Sequence, residues 1–345
     1  VCYCDREEVR KNREEGRECG CRHFPSGVQS VRWDEMFDME EGHATLRIKT
    51  SMQNPNPAFR DRVLFKISDR EHPRVGKKYR VWPTLEMSWA VDDYLLKITH
   101  VIRGNDLMIE SDMEKFIWEI FGWKGSEIIH TGFVSISGAG ISKSKSRKEV
   151  KSGKFIGWDD PRTWSIQSLE RRGIKPDALK EFVKEIGLNK QDITLPVECL
   201  YAHNRSIIDA SSDRYSFIVN PVRLKISGVP KSISVVNVPV HPDKKKTRAV
   251  KVKEIYIARD DFEKLRGKEV RLSHLFNLKI NADGAAEFVS LANKEVKRIN
   301  WVSDSVKARI LMPDGKWSSG SAEAGVKELE AGSVIQFERF GFARF

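Results

Sequence analysis

The chain has 345 residues, of which 60 are Lys or Arg and 49 are Asp or Glu, and its formal net charge is +11. This length exceeds one ordinary domain and predicts about two to four domains. An apolar fraction of 40%, with 9 Trp and 17 Phe, is enough to fill hydrophobic cores and excludes a fully disordered chain. No run of about 18 apolar residues occurs, which excludes a transmembrane helix. The excess of positive charge points towards a polyanionic partner.

The N-terminal residues give two expectations about the origin of the chain. The segment from Val1 to Arg6 lacks the basic and then apolar order of a signal peptide, so we expect a cytoplasmic protein. The chain opens on Val1 rather than Met, directly before a Cys-x-Cys pair. We therefore expect that it has been cut from a longer protein.

Four of the five cysteines lie within the first 21 residues, as Cys2-x-Cys4 and Cys19-x-Cys21. Thiolates in close pairs suit a tetrahedral Zn²⁺, because each pair supplies two ligands and the helix-forming stretch between them brings the pairs together. His23 is a substitute ligand, since Cys21-x-His23 offers a similar pair. The alternative is two disulfides or idle thiols, which a cytoplasmic location disfavours. Four protein ligands leave no open position, so the predicted zinc site is structural.

The stretch between the cysteines and residue 130 alternates strands with a helix. Strands are predicted at 43–50, 62–67 and 80–82, where polar and apolar residues alternate between proline-rich breaks. A helix is predicted at 107–121, with an apolar face formed by Met113, Phe116, Ile117, Ile120 and Phe121. A further strand at 128–130 completes a βαβ order, which is typical of a parallel sheet.

A second helix is predicted at 176–186, with Pro176 at its start. From about Pro196 the pattern changes to short alternating runs separated by turn residues. These runs lie at 216–226, 233–240, 250–257, 270–275, 298–302, 306–312 and 334–340. This spacing predicts an all-β barrel or sandwich, so the fold class is α/β followed by all-β.

A basic, glycine-rich stretch runs from Ser137 to Lys151. Its glycines let the backbone approach a ligand closely, and its lysines neutralise charge on a phosphate chain. By composition alone, a solvated basic loop is the favoured interpretation. It lacks the order of a P-loop.

Within this stretch, Gly140-Ile-Ser-Lys-Ser144 resembles the KMSKS loop of class I aminoacyl-tRNA synthetases. Other segments resemble the archaeal and eukaryotic branch of the glutamyl- and glutaminyl-tRNA synthetase family, and they occur in the order that this family uses. These segments are 54–61, Trp82-Pro-Thr84, Val91-Asp-Asp93, Ile98-Thr-His-Val-Ile-Arg-Gly-Asn-Asp106, 157–162, 171–174, 254–262, 267–272 and 299–302. The resemblance covers nearly the whole chain.

The resemblance implies a layout of four parts. Residues 1–75 correspond to an acceptor-stem-binding insertion with a zinc knuckle, and residues 76–130 to the second half of a Rossmann-type catalytic domain. Residues 131–195 correspond to the KMSKS-like loop and a helical connector, and residues 196–345 to two β-barrels that bind the anticodon. The first Rossmann half, with its HIGH motif, has no counterpart here, so we expect this fragment to be inactive alone.

The implied activity is that of a glutamate–tRNA ligase, which uses ATP with Mg²⁺ to form an aminoacyl-adenylate and then transfers the acyl group to tRNA. The resemblance assigns Lys143 to the pyrophosphate leaving group. It assigns Ser142 and Ser144 to holding the loop or the phosphates.

Arg103 favours glutamate over glutamine as the substrate. The resemblance places an Arg at this point in the glutamate enzymes, and a guanidinium makes a bidentate contact with a carboxylate. The alternative is a structural Arg that pairs with Asp92, Asp93 or Asp106. The family has Tyr where this chain has Leu85, and Thr84 is the candidate to replace it in binding the amino acid.

The expected partners are tRNA(Glu), with tRNA(Gln) as a second acceptor, and the expected oligomeric state is a monomer. Lys245, in a basic hairpin tip at 244–248, and Arg271 are the candidate tRNA contacts. The alternatives are a glutaminyl-tRNA synthetase, which Arg103 disfavours, and a zinc-containing tRNA-binding module without catalysis.

Overall fold

The computed structural model describes all 345 residues of the chain. They form two compact units, one made of Val1–Val134 with Leu188–Ile193 and the other of Ser135–Gly187 with Thr194–Phe345. None of the helices combines the length and the apolar character that crossing a bilayer requires.

The first unit contains four helices and five strands. The helices are α1 (Arg6–Glu15), α2 (Ser26–Glu35), α3 (Leu85–Leu95) and α4 (Met108–Phe121). The strands are β1 (Thr45–Arg47), β2 (Val63–Ile67), β3 (Val81–Pro83), β4 (His100–Gly104) and β5 (Glu127–Thr131). The three strands predicted between residues 43 and 82 are present, and they form one antiparallel sheet in the order β1-β2-β3. Helix α3 had not been predicted.

A parallel βαβ unit is present, but its first strand is β4, which had not been predicted; the strand predicted before the helix, 80–82, is β3 of the antiparallel sheet. Strands β4 and β5 pair in parallel, and α4 provides the long connection that a parallel pair needs. Met113 and Ile117 of α4 are buried in a cluster with Trp118. The predicted apolar face is wrong at its end, because Ile120 and Phe121 are 57% and 50% exposed. The buried stretch of the helix stops at Trp118, one turn short of the helix end.

The second unit carries the remaining helices and most of the strands. The helices are α5 (Lys143–Lys151), α6 (Ile166–Arg171), α7 (Pro176–Ile186), α8 (Val197–Ile208) and α9 (Arg259–Lys264). Strands β6 (Val134–Ser137) and β7 (Ile193–Pro196) lie where the chain passes between the units. The later strands are β8 (Arg214–Tyr215), β9 (Phe217–Val219), β10 (Pro221–Leu224), β11 (Ile226–Ser227), β12 (Val235–Pro239), β13 (Thr247–Lys251), β14 (Ile255–Ala258), β15 (Glu269–Leu272), β16 (Asn277–Ile280), β17 (Ala286–Ser290), β18 (Lys297–Ile299), β19 (Ser305–Leu311), β20 (Trp317–Glu323), β21 (Val334–Phe337) and β22 (Gly341–Arg344).

The strands of the second unit surround two separate hydrophobic cores. A five-stranded sheet, ordered β11-β17-β16-β15-β18, contributes to the larger core, which includes Phe276 and Leu278. The smaller core, around Phe217 and Phe337, lies among the sheets β19-β20-β9 and β22-β21-β8. Strands β8 and β9 therefore join the C-terminal sheets, although the residues of the larger core lie between them and those sheets in the sequence.

Three features of the second unit differ from the sequence prediction. The strands begin at Arg214 rather than near Pro196, because α8 occupies Val197–Ile208 and buries Leu200, Asn204 and Ile208 at a helical spacing of four residues. The predicted strand at 216–226 is divided into the three short strands β9, β10 and β11. Asn220, with φ of 48°, lies at the break between β9 and β10. Strands β16, β17, β20 and β22 had not been predicted.

Candidate functional sites

The four N-terminal cysteines converge on one point. The Sγ atoms of Cys2, Cys4, Cys19 and Cys21 all lie within 4.8 Å of one another, and those of Cys2 and Cys19 are 3.9 Å apart. Four sulfurs bound tetrahedrally at about 2.3 Å from Zn²⁺ are about 3.8 Å apart. The donor set and its spacing therefore fit a structural zinc ion.

Local structure explains how the two cysteine pairs meet. Asp5 begins α1 as its N-cap by accepting a hydrogen bond from the backbone N–H of Glu8 at 2.8 Å. Gly16 ends the helix with φ of 70°, a conformation that glycine adopts without strain, and the chain turns back. Cys2 is fixed to the edge of the β1 strand by two backbone hydrogen bonds with Thr45.

A buried arginine adjoins the sulfur cluster. Nη1 of Arg47 is 3.5 Å from Sγ of Cys2 and 3.6 Å from Sγ of Cys19. Burial raises the pKa of the Cys2 thiol, and the hydrogen bond from Arg47 opposes that effect. Arg47 thus supplies positive charge where four thiolates meet. His23, the substitute ligand suggested by the sequence, lies outside this cluster, and its Nε2 faces Glu18 at 3.3 Å.

The KMSKS-like segment is the start of a helix rather than an open loop. Ser142 is the N-cap of α5, and its hydroxyl accepts from the backbone N–H of Lys145 at 3.4 Å. Lys143 and Ser144 are the first residues of the helix, and both are exposed. The N-terminus of a helix attracts anions through its free N–H groups and its dipole. Exposed Lys143 therefore stands where a phosphate chain is favoured.

The segment that follows supports the start of α5. Asp160 is buried and accepts hydrogen bonds from the side chain and backbone of Arg162, which holds the pKa of this carboxyl at about 2. The backbone carbonyl oxygen of Thr163, beside this turn, accepts a hydrogen bond at 3.4 Å from the buried hydroxyl of Ser146 in α5. The turn thus anchors the first helical turn after Lys143.

Arg103 points into the first unit and is bound to acidic side chains. Its Nη1 donates to Glu114 Oε2 at 2.8 Å and to Ser111 Oγ at 3.2 Å, and its Nη2 is 3.8 Å from Asp93 Oδ2. The guanidinium also lies 4.6 Å from the centre of the Trp89 ring. The pairing with Asp93 is the structural alternative that the sequence left open.

Glu114 is the residue at this site that the sequence analysis missed. Burial, together with the nearby Asp93 carboxylate, raises its pKa to about 7, while Arg103 acts in the opposite direction. Its Oε1 is buried without a hydrogen-bond partner. A signal was available, because a carboxylate next to Met113 on the predicted buried face of a helix requires a cationic partner.

Thr84 precedes α3, and its hydroxyl donates to the backbone carbonyl of Val63 at 2.8 Å. Because its only proton is used in that bond, the hydroxyl can accept a hydrogen bond from a ligand but cannot donate one. Leu85, which stands where the family has Tyr, is 56% exposed at the first position of α3.

The two candidate tRNA contacts differ in exposure and in their hydrogen bonds within the protein. Lys245 is exposed in the loop that joins β12 to β13, which confirms the predicted hairpin. Arg271 on β15 instead donates to Asn277 Oδ1 at 3.1 Å and to the carbonyl oxygen of Ala292 at 2.8 Å. Its guanidinium therefore holds the loop that follows β17.

Three family models match the chain. Residues 1–210 match the catalytic domain of the class I tRNA synthetases (E and Q). Residues 212–292 and 275–345 each match an anticodon-binding domain of the same class. The β-rich part that begins at Arg214 thus coincides with the anticodon-binding matches.

The chain is similar along its whole length to archaeal proteins named glutamate–tRNA ligase. It is 39% identical to that of Methanopyrus kandleri and 40% identical to that of Pyrococcus abyssi, with 100% of this chain covered in both. The chain spans 64% and 63% of the length of these relatives. A solved glutamate tRNA ligase from Elizabethkingia meningosepticum matches 61% of this chain and 45% of that chain, at 16% identity and a TM-score of 0.34.

Proposed function

The chain belongs to the class I tRNA synthetases for glutamate and glutamine, and from this we propose that its full-length protein is a glutamate–tRNA ligase. The observation that carries the proposal is Lys143, exposed at the start of α5 in the KMSKS-like segment. The similarity to archaeal glutamate–tRNA ligases over 100% of the chain supports the choice of amino acid. Since the chain spans 64% of the first of these relatives, the activity is proposed for the full-length protein.

The proposed layout follows the four parts inferred from the sequence. Residues 1–75 form the acceptor-stem-binding insertion, 76–130 the second Rossmann half, 131–195 the connector and 196–345 the anticodon-binding β-barrels. The parallel βαβ unit of β4, α4 and β5 supports the Rossmann assignment. The two hydrophobic cores of the second unit support two β-barrels.

In the proposed reaction, a carboxylate oxygen of glutamate attacks the α-phosphate of ATP and the bond to pyrophosphate breaks. A hydroxyl of the terminal tRNA adenosine then attacks the acyl carbon, and AMP leaves. The Lys143 ammonium stabilises the negative charge on the departing pyrophosphate, with Mg²⁺ bound to the ATP phosphates. Ser142 fixes the helix start, and the exposed Ser144 hydroxyl hydrogen-bonds the phosphates.

Recognition of glutamate is proposed at Arg103 and Thr84. Nη2 of Arg103 is 3.8 Å from Asp93, so this side of the guanidinium has no short hydrogen bond to lose when a substrate carboxylate approaches. The Thr84 hydroxyl already donates to a backbone carbonyl, so it accepts a hydrogen bond from the α-ammonium group. Lys245 contacts tRNA phosphates, and Arg271 positions the neighbouring loop for tRNA.

The proposed metal is one Zn²⁺ held by the four N-terminal cysteines. Such an ion fixes the N-terminal segment and takes no part in catalysis, because four sulfurs complete its coordination. A cytoplasmic monomer is part of the same proposal, and none of the five cysteines forms a disulfide, as expected in a reducing compartment.

The test uses the full-length protein with ATP, labelled glutamate and separate transcripts of tRNA(Glu) and tRNA(Gln). We expect glutamate to be esterified to tRNA(Glu), and the tRNA(Gln) transcript shows whether the anticodon domains accept both. Parallel reactions with labelled glutamine provide the control for the amino acid. Charging with glutamine alone would overturn the assignment to glutamate, and binding of tRNA without charging would leave a tRNA-binding module.

A further inference from the structure

A cluster of aromatic side chains lies outside the hydrophobic cores of the first unit, on the hairpin between β2 and β3. The ring of His72 stacks on Trp82, with ring centres 5.0 Å apart and an angle of 19°. Tyr79, which is 50% exposed, meets the Trp82 ring edge-on at 6.1 Å. Neither Trp82 nor its two neighbours belongs to a core cluster, although a Trp side chain gains more than most by burial.

Strand register places this cluster on the outer face of the sheet. Trp82 of β3 lies directly opposite Lys66 of β2, and the flanking pair is Ile67 with Val81. Alternate residues of a strand point to opposite faces. Ile67 and Val81 pack in the hydrophobic core, so Lys66 and Trp82 face outward together.

The rings are held in place by hydrogen bonds. Nδ1 of His72 accepts from the backbone N–H groups of Arg74 and Val75 at 3.2 and 3.4 Å. The indole N–H of Trp82 donates to the carbonyl oxygen of Tyr79 at 3.1 Å. A preordered ring loses little conformational freedom when a ligand stacks on it.

A cavity of about 340 Å³ lies beside the stack, lined by His72 and Trp82 together with Lys66 and Arg70. The hairpin carries further cations at Arg74, Lys77 and Lys78. Arg80 is paired with Asp69, whereas the other five form no ion pair. Glu71 is the one carboxylate in the lining, so the surface combines half-buried and exposed aromatic rings, a concave space and an excess of positive charge.

We propose that this hairpin, residues 66–82, binds an unpaired nucleotide of RNA, with the base stacked on the His72–Trp82 pair and the phosphates held by Lys66 and Arg70. Aromatic faces flanked by cations bind single-stranded nucleotides, because every base offers a π-face and every linkage a negative charge. Bases inside a duplex are stacked on one another, so a paired nucleotide does not fit. The proposal rests on the proposed function, in which the RNA is tRNA.

The test compares binding of two RNAs to the full-length protein, the tRNA(Glu) transcript and a blunt-ended RNA duplex, by fluorescence anisotropy at several salt concentrations. We expect Trp82→Leu to weaken tRNA binding about 5- to 100-fold and to leave duplex binding unchanged. Trp82→Phe retains a stacking ring and is expected to restore most of the affinity. Replacing Lys66 and Arg70 by Ala is expected to weaken tRNA binding. It is also expected to lower the slope of log affinity against log salt concentration by the equivalent of about 2 phosphate contacts.

The matched control is Phe121→Leu, since Phe121 is also half exposed and stacks on a Trp, Trp123, at 4.5 Å in the same unit. We expect that variant to bind tRNA as the parent does. The inference is overturned if Trp82→Leu, shown to be folded by circular dichroism, binds tRNA normally, or if it weakens duplex binding equally. Failure of the proposed function would be distinguished from failure of this inference, because the parent protein would then not charge tRNA with glutamate.

Discussion

Arg103 of β4 and Glu114 of α4 form a buried ion pair, with 2.8 Å between Nη1 and Oε2 and side-chain exposures of 8% and 0%. The pair ties the helix of the βαβ unit to its first strand. Asp93 of α3 approaches the same guanidinium at 3.8 Å, so two carboxylates surround one cation. Arg103 therefore has a structural role in addition to the substrate contact proposed for it.

Replacing Arg103 by Met is expected to destabilise the chain by about 3–5 kcal/mol, because it leaves the Glu114 carboxylate buried without its cation. The double variant Arg103→Met/Glu114→Met removes both charges and is expected to recover most of that loss. Urea unfolding measures the effect. The control is Arg171→Met, which breaks the exposed pair with Asp159 and is expected to cost about 1 kcal/mol or less. Equal costs for Arg103→Met and Arg171→Met would contradict the buried-pair account.

The pH dependence of stability is expected to report on Glu114. Its pKa is about 7 in the folded protein against an ordinary value of 4.5, so the folded state binds this proton more tightly than the unfolded chain. The resulting stabilisation is fully present below pH 4.5 and is lost as the pH rises through about 7. Relative to Glu114→Gln, the parent protein should lose about 3 kcal/mol across this window.

The measurement is urea unfolding at pH 4.5 to 8 for the parent, Glu114→Gln and the control Glu119→Gln, which changes an exposed carboxylate on the same helix. Subtracting the variant curve from the parent curve cancels the other titrating groups. A difference that does not change with pH would show that Glu114 ionises normally.

Metal analysis of the purified protein is expected to find one zinc ion per chain. Cys19→Ser should lose the metal and lower the thermal unfolding midpoint, because binding of a structural zinc contributes directly to folding. Cys199→Ser, far from the cluster in sequence, serves as the control and should retain the metal. Titration of only one free thiol in the denatured, unreduced parent would instead indicate two disulfides.

Lys143→Ala is expected to slow glutamyl-adenylate formation by the full-length protein about 10²- to 10³-fold, since a charge that stabilises the leaving group is lost. Pyrophosphate exchange in the presence of tRNA(Glu) measures this step. Lys151→Ala, at the other end of the same helix and also exposed, is the control that keeps the activity. A rate unchanged by Lys143→Ala would remove this residue from the proposed chemistry.

Local sequence patterns predicted those structural elements that are specified by residues close together in the chain. The helix at Pro176–Ile186 has the predicted bounds, because proline fixes its start and one apolar stripe repeats along it. The cysteine spacing predicted the metal cluster for the same reason. Helix α5 was missed, since eight of its nine residues are polar or charged and no apolar stripe is visible, although Ser142 is a good N-cap.

The sequence by itself determined the family, the cysteine cluster and the helix and second strand of the βαβ unit, because each depends on residue types at fixed spacing along the chain. The tertiary structure decided the partners of Arg103, the exclusion of His23 from the sulfur cluster and the internal bonds of Arg271. It also decided that β8 and β9 join strands more than 90 residues further along the chain. Such contacts depend on which surfaces meet in space, and a charged side chain pairs with whatever lies within a few ångströms once the backbone has folded.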